Sequence, residues 1–178
     1  MYDGVKSRLK GQLDSLDSDR RALLAELERL PTEILEKKPN SDTWSILEIV
    51  EHMILAERNI LCGLPPIDQL SERQPDLRGR MIYPIVMAIL RFRIPVKVPS
   101  RAMLPRGESS LLELRSSWDT NVSWLRGYID GLGPEEHRRA VFAHPVTGPI
   151  DTIQCLRMAR YHFNTHRQQI RCRQISYG

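Results

Sequence analysis

The amino-acid sequence predicts an all-α fold, a four-helix bundle with a long crossing connection, in a single domain spanning residues 1–178. Three observations carry that expectation. Four long stretches repeat apolar residues at three- and four-residue steps, the spacing that lines one face of a helix. Three of those stretches open on a capping pair, Ser45 with Glu48, Ser110 with Glu113 and Asp151 with Gln154, in which each side chain satisfies the other's exposed backbone N–H. Aromatic residues are only 6% of the chain, and the Val/Ile/Thr alternation of strands is scarce.

The first helix carries Leu9, Leu13, Leu16, Leu23, Leu27 and Leu30 with charged residues between them, and it stops near Pro31. A connector to Trp44 has short helical character, punctuated by Pro39 and Asn40. The second helix starts at the Ser45–Glu48 box and ends near Gly63, ahead of Pro65 and Pro66. Its apolar stripe is Ile46, Ile49, Val50, Met53, Ala56 and Ile60. His52 lies three residues after Ile49 and four before Ala56, so it points inward.

Residues 64–80 read as a long polar loop, followed by a helical piece over Met81–Arg93. Prolines at 95, 99 and 105 make the next segment an extended crossing connection. The helix after Ser110 carries Leu111, Leu114, Trp118, Val122, Leu125 and Ile129, and Gly131 and Gly133 stop it. A loop leads to Asp151 and the last helix, where Cys155, Ala159, His162, His166 and Ile170 share one face, flanked by Leu156 and Phe163.

Composition narrows the functional classes. Lys and Arg outnumber Asp and Glu by 26 to 22, but the cations are spread along the chain, whereas nucleic-acid binders concentrate theirs. No nucleic-acid partner is expected. The longest apolar run, Met81–Leu90, is ten residues long and contains Pro84, too short to span a bilayer, so no membrane partner is expected either. Cys62, Cys155 and Cys172 lack any Cys-x-x-Cys spacing, and the N-terminal stretch has no apolar signal core. The expected setting is cytoplasmic, with reduced thiols. There is no Gly-rich phosphate loop, nucleophile elbow or dinucleotide fingerprint.

The chemistry-bearing pattern is histidine. His162-x-x-x-His166 places two imidazoles one turn apart, about 6 Å along the axis. Chance supplies roughly 0.14 such pairs in a chain with five histidines, so the pair alone is only suggestive. A third inward histidine, His52, comes from another helix. Three imidazoles form the open ligand set of catalytic zinc sites, and a shared divalent ion offsets the cost of burying all three.

Other residues read more plainly. His137 is a solvated loop residue. His144 orders its turn through a hydrogen bond, with a place at the rim of a metal pocket as the lesser reading. Glu48 caps its helix in preference to acting as a proton carrier beside His52. Trp44, Trp118 and Trp124 are core or helix-entry anchors. Arg157, Arg160, Arg167 and Arg173 could bind a substrate carboxylate, although most such arginines face water.

The segments Trp44-Ser-Ile-Leu-Glu-Ile-Val-Glu-His52, His144-Pro-Val-Thr-Gly-Pro-Ile-Asp-Thr-Ile153 and Tyr161-His162-Phe-Asn-Thr-His166-Arg-Gln-Gln-Ile170 resemble the DinB-like superfamily of four-helix bundles. The resemblance covers nearly the whole chain. It implies a metal ion, commonly zinc or nickel, on His52, His162 and His166. Some members use low-molecular-weight thiols such as bacillithiol or mycothiol as transferases or isomerases, and others are described as metal-dependent hydrolases. The expected function is thus a metal-dependent enzyme that transfers such a thiol to a small-molecule substrate. The alternatives are a hydrolase using metal-bound hydroxide and a non-catalytic metal- or ligand-binding stress-response module. A homodimer is the expected assembly if bundle surfaces pair.

Overall fold

The computed structural model describes residues 2–70, 77–94, 97–133, 142–144 and 146–177. Among these are six α-helices: α1 (Tyr2–Leu27), α2 (Thr32–Glu36), α3 (Ile46–Cys62), α4 (Leu77–Phe92), α5 (Leu111–Gly131) and α6 (Thr152–Tyr177). Helices α1 and α3 each pack against both α5 and α6, which makes the four long helices a bundle. The all-α architecture is the one the apolar spacing predicted.

Two of the apolar clusters among the described residues lie between α1 and its neighbours. Leu16, Leu23, Leu27, Ile49, Met53, Trp118, Phe163 and Ile170 belong to the larger one. Leu9, Leu13, Ile129 and Leu156 form another, drawn from α1, α5 and α6. Removing each such side chain from water contributes about 1.5–3 kcal/mol, so the stripes read from sequence are what hold the helices together.

One ion pair runs through this core. Arg20 of α1 is 3% exposed and pairs with Glu57 of α3, while its guanidinium lies 5.5 Å from the Trp118 ring centre. Trp118 Nε1 donates to the other Glu57 oxygen at 2.9 Å. Burial pushes the Glu57 carboxyl up, and Arg20 and the indole N–H oppose that push.

The predicted helix starts are present. Ser45 and Glu48, and Ser110 and Glu113, form complete reciprocal capping boxes. Gln154 N–H donates to Asp151 Oδ1 at 2.7 Å and Asp151 N–H to Gln154 Oε1 at 3.0 Å, the same reciprocal exchange at the start of α6.

Several expectations need correction. Helix α1 ends at Leu27, because Leu30 N–H bonds Leu27 O in a tighter turn, although the Leu30 side chain still packs on the core. Helix α4 begins at Leu77, four residues before the expected start, and runs through Pro84, whose side is exposed. The crossing connection is not extended throughout, since Arg101–Met103 forms a 3-10 turn capped by Ser100. The expected loop before α6 contains an antiparallel pair, β1 (Phe142–His144) with β2 (Gly148–Ile150), and Gly148 takes φ 74° to close it. Trp124 is 44% exposed and stacks on Tyr128 rather than entering the core, because six residues beyond Trp118 falls off the inward stripe. Residues 71–76 of the polar loop, Pro95 and His137 lie outside the described residues.

Helix α3 is buried on all sides from Ile46 to Ile54. Its apolar side faces the bundle, and Glu48, Glu51 and His52, at i, i+3 and i+4, form a polar stripe on another side. The crossing connection lies against that stripe. Glu51 Oε2 accepts from Arg106 N–H at 3.0 Å and Gly107 N–H at 2.9 Å. Gly107 sits at φ +72°, where a Cβ would lie 3.1 Å from Glu48 Oε1, so glycine alone fits without strain.

Candidate metal centre

His52, His162 and His166 are brought together as the sequence suggested. Their candidate ligand atoms all lie within 4.8 Å of one another, and among the described residues this is the group able to hold a metal ion. His162 and His166 approach most closely, with their Nε2 atoms 3.1 Å apart. Two ligands of a tetrahedral zinc, each about 2.0–2.1 Å from the ion, stand roughly 3.3 Å apart. The α6 pair already has that separation.

The surroundings select which nitrogen each ring offers. His52 Nδ1–H donates to Met103 O at 2.8 Å, which leaves His52 Nε2 bare on the side of the other two rings. His166 Nδ1–H donates to Gln169 Oε1 at 2.9 Å, leaving its Nε2 free in the same way. Trp44, just ahead of α3, packs its ring 4.8 Å from that of His52 and walls one side. The three imidazoles meet edge to face, with centroids 4.5–5.4 Å apart.

Electrostatics favour neutral rings. Burial lowers His52 below the usual histidine range, against a smaller upward pull from the Met103 carbonyl. Burial, then the charges of His166 and His52, hold His162 well below it. His166 is lowered to about 4 by burial and by His52, with Gln169 pulling the other way. Near neutral pH the cluster is therefore three uncharged imidazoles. Two bare Nε2 lone pairs at 3.1 Å repel unless one N–H or one cation lies between them, and this donor set fits a divalent transition metal.

Sequence reasoning missed three of the supporting groups. The Met103 carbonyl carries no side-chain signature. Gln169 lies three residues after His166 on the same helix, a spacing that could have pointed to it. Glu51, beside His52, is one of two carboxylates on that helix turn and carries no spacing signature that sets it apart from Glu48. Glu51 anchors the segment that carries Met103 O, so Glu51→Ala should weaken metal affinity about 10–100-fold, as loss of a positioning group does. Competition against a chromogenic chelator measures this, and unchanged affinity would show that the Met103 contact survives without Glu51.

The other residues considered take different roles. His144 Nδ1 accepts from Val146 N–H at 3.2 Å and Thr147 N–H at 3.1 Å, ordering its own turn. Glu48 keeps its capping duty and pairs with Lys38 at 2.6 Å. Arg160 and Arg167 pair with Asp19 of α1, and Arg160 also donates to Ser15 Oγ, while Arg157 is exposed. The cysteines are free, and burial with Asp151 nearby pushes the Cys155 thiol far up, keeping it protonated.

The fold and this cluster together fit a helical-bundle protein able to hold a metal ion. A family model describing the DinB superfamily matches residues 15–170, and the chain belongs to that superfamily. Neither a curated protein nor a solved structure matches it.

Proposed function

We propose that this chain is a metal-dependent enzyme that transfers a low-molecular-weight thiol to a small electrophilic substrate, with His52, His162 and His166 holding zinc or nickel. The observation that carries the reading is the convergence of three imidazoles from two helices, with His52 Nδ1 committed to Met103 O. A divalent ion on three histidines keeps an open position and, when bound, lowers the pKa of a thiol or water placed there. Soft thiolate suits zinc, which favours thiol over water as the activated group.

The protein's own contribution is placement. Met103 O and Gln169 Oε1 fix ring orientation, so the ligands need little reorganisation. Burial keeps the rings unprotonated and available near neutral pH. The reading treats the chain as one cytoplasmic domain, which can pair as a homodimer.

The test uses protein purified without a histidine tag and loaded with zinc or nickel. It is assayed with a panel of small thiols and electrophilic acceptors, and separately with esters and amides. Metal-dependent turnover on the thiol panel is expected. Turnover on esters and amides alone would replace this reading with a hydrolase. A metal-induced thermal shift without turnover on either panel would leave a binding or stress-response module.

A further inference from the structure

Helix α4 has two apolar faces. Tyr83, Val86, Met87 and Leu90 pack toward Ile150 and Met158, tying the helix to β2 and α6. On the opposite side Met81 is 73% exposed, Ile85 58% and Phe92 72%, with Ile94 at 51% just past the helix end. At 100° per residue Met81, Ile85 and Phe92 fall within about 40° of each other and form a stripe about 16 Å long. Pro84 is exposed on the same flank.

Along the chain, the charges of this segment have one sign. From residue 77 to 107 the sequence has seven basic residues, Arg78 to Arg106, and no acidic one. Arg91, Arg93, Lys97 and Arg101 are exposed around the helix end. A second copy docking by the same stripe would bring together two segments, residues 77–107 of each copy, that contain basic residues and no acidic one, which opposes a two-fold interface there. A polyanion such as DNA matches the charge but offers no apolar complement. A bilayer with anionic headgroups offers both, acyl chains for the stripe and negative potential for the flanking cations.

We propose that α4 lies on the surface of an anionic membrane, with Met81, Ile85, Phe92 and Ile94 entering the headgroup–acyl boundary and Arg91, Arg93, Lys97 and Arg101 against lipid phosphates. The sequence argued against a membrane partner on the ground that the apolar run is too short to span. No helix among the described residues is long and apolar enough to cross, but surface binding needs neither length nor uniform apolarity. The inference stands apart from the metal centre and survives if the proposed reaction fails.

The test mixes the full chain with sedimentable vesicles of phosphatidylcholine alone and of phosphatidylcholine with phosphatidylglycerol. Partition should be about tenfold stronger on the anionic vesicles and should fall as salt rises. Ile85→Glu combined with Phe92→Glu should weaken it by about tenfold or more. Both sites are exposed, so circular dichroism should show the fold unchanged. Arg91→Gln with Lys97→Gln should remove the preference for anionic lipid, and Ile175→Glu, at an 81% exposed site on α6, should change nothing. The proposal is overturned if anionic vesicles leave the protein in the supernatant, or if the Ile85/Phe92 variant binds as well as the parent. It is equally overturned if sedimentation velocity shows a dimer that the same variant abolishes, which would assign the stripe to a second copy.

Discussion

His162→Ala should lose nearly all of its divalent metal, while the parent chain retains close to one ion after desalting. Removing one of three imidazoles leaves His52 and His166 as a two-ligand site. Removing mere supporting groups already costs about 10–100-fold in affinity, so losing a ligand should cost 100-fold or more. His162 Nε2 stands 3.1 Å from His166 Nε2, so its loss also opens the closest ligand pair. Elemental analysis of parent and variant decides the matter, and equal metal in both would remove the proposed centre.

The same substitution has a pH signature in metal-free protein. An unfolded histidine titrates near 6.5, whereas burial holds His162 well below that and His166 at about 4. Between those values the unfolded chain binds more protons than the folded one, so stability falls as pH drops from about 6.5 toward 4 and is retained above 6.5. His162→Ala removes one of these differences and leaves those of His52 and His166. Its melting temperature should decline less steeply than the parent's across that window.

Arg20→Leu should be the most damaging single change to the core. It leaves the Glu57 carboxylate, whose side chain is 15% exposed, with the Trp118 N–H as its remaining partner among the described residues, and breaking a largely buried pair from one side costs about 3 kcal/mol. In a chain of this size the melting temperature should fall by roughly 10 °C. Burial already pushes the Glu57 carboxyl up, and losing the cation pushes it further. A carboxyl raised in the folded state contributes stability at low pH that disappears as pH rises through the folded pKa. The defect should therefore be smallest in acid and grow toward neutrality. Combining Arg20→Leu with Glu57→Leu should recover much of the loss, since an apolar pair needs no charge partner. A single-variant loss below about 1 kcal/mol would show that water reaches Glu57.

Much of this molecule was legible along the chain. The capping pairs at Ser45, Ser110 and Asp151 work within one helical turn, so their residue types announced the helix starts. His162 and His166 are one turn apart on a helix whose stripe was plain, and His52 sat among Ile49, Val50 and Met53. Trp124 misled because an aromatic at a helix surface looks, in composition, like one in the core. The β1–β2 pair was passed over although Thr147-Gly148 offered a turn signal, because three-residue strands leave too short an alternation to register.

The sequence by itself determined which faces are apolar, where helices begin and which histidines share a side, because those properties depend on residues no more than four positions apart. Tertiary structure alone decided that Met103 O meets His52 Nδ1 across 51 residues of sequence, that Glu51 holds the connection bearing that carbonyl, and that Arg160 turns to Asp19. Those contacts join backbone atoms or long flexible side chains to partners far along the chain. Only the packing of α1, α3 and α6 around a common core sets the distances between them.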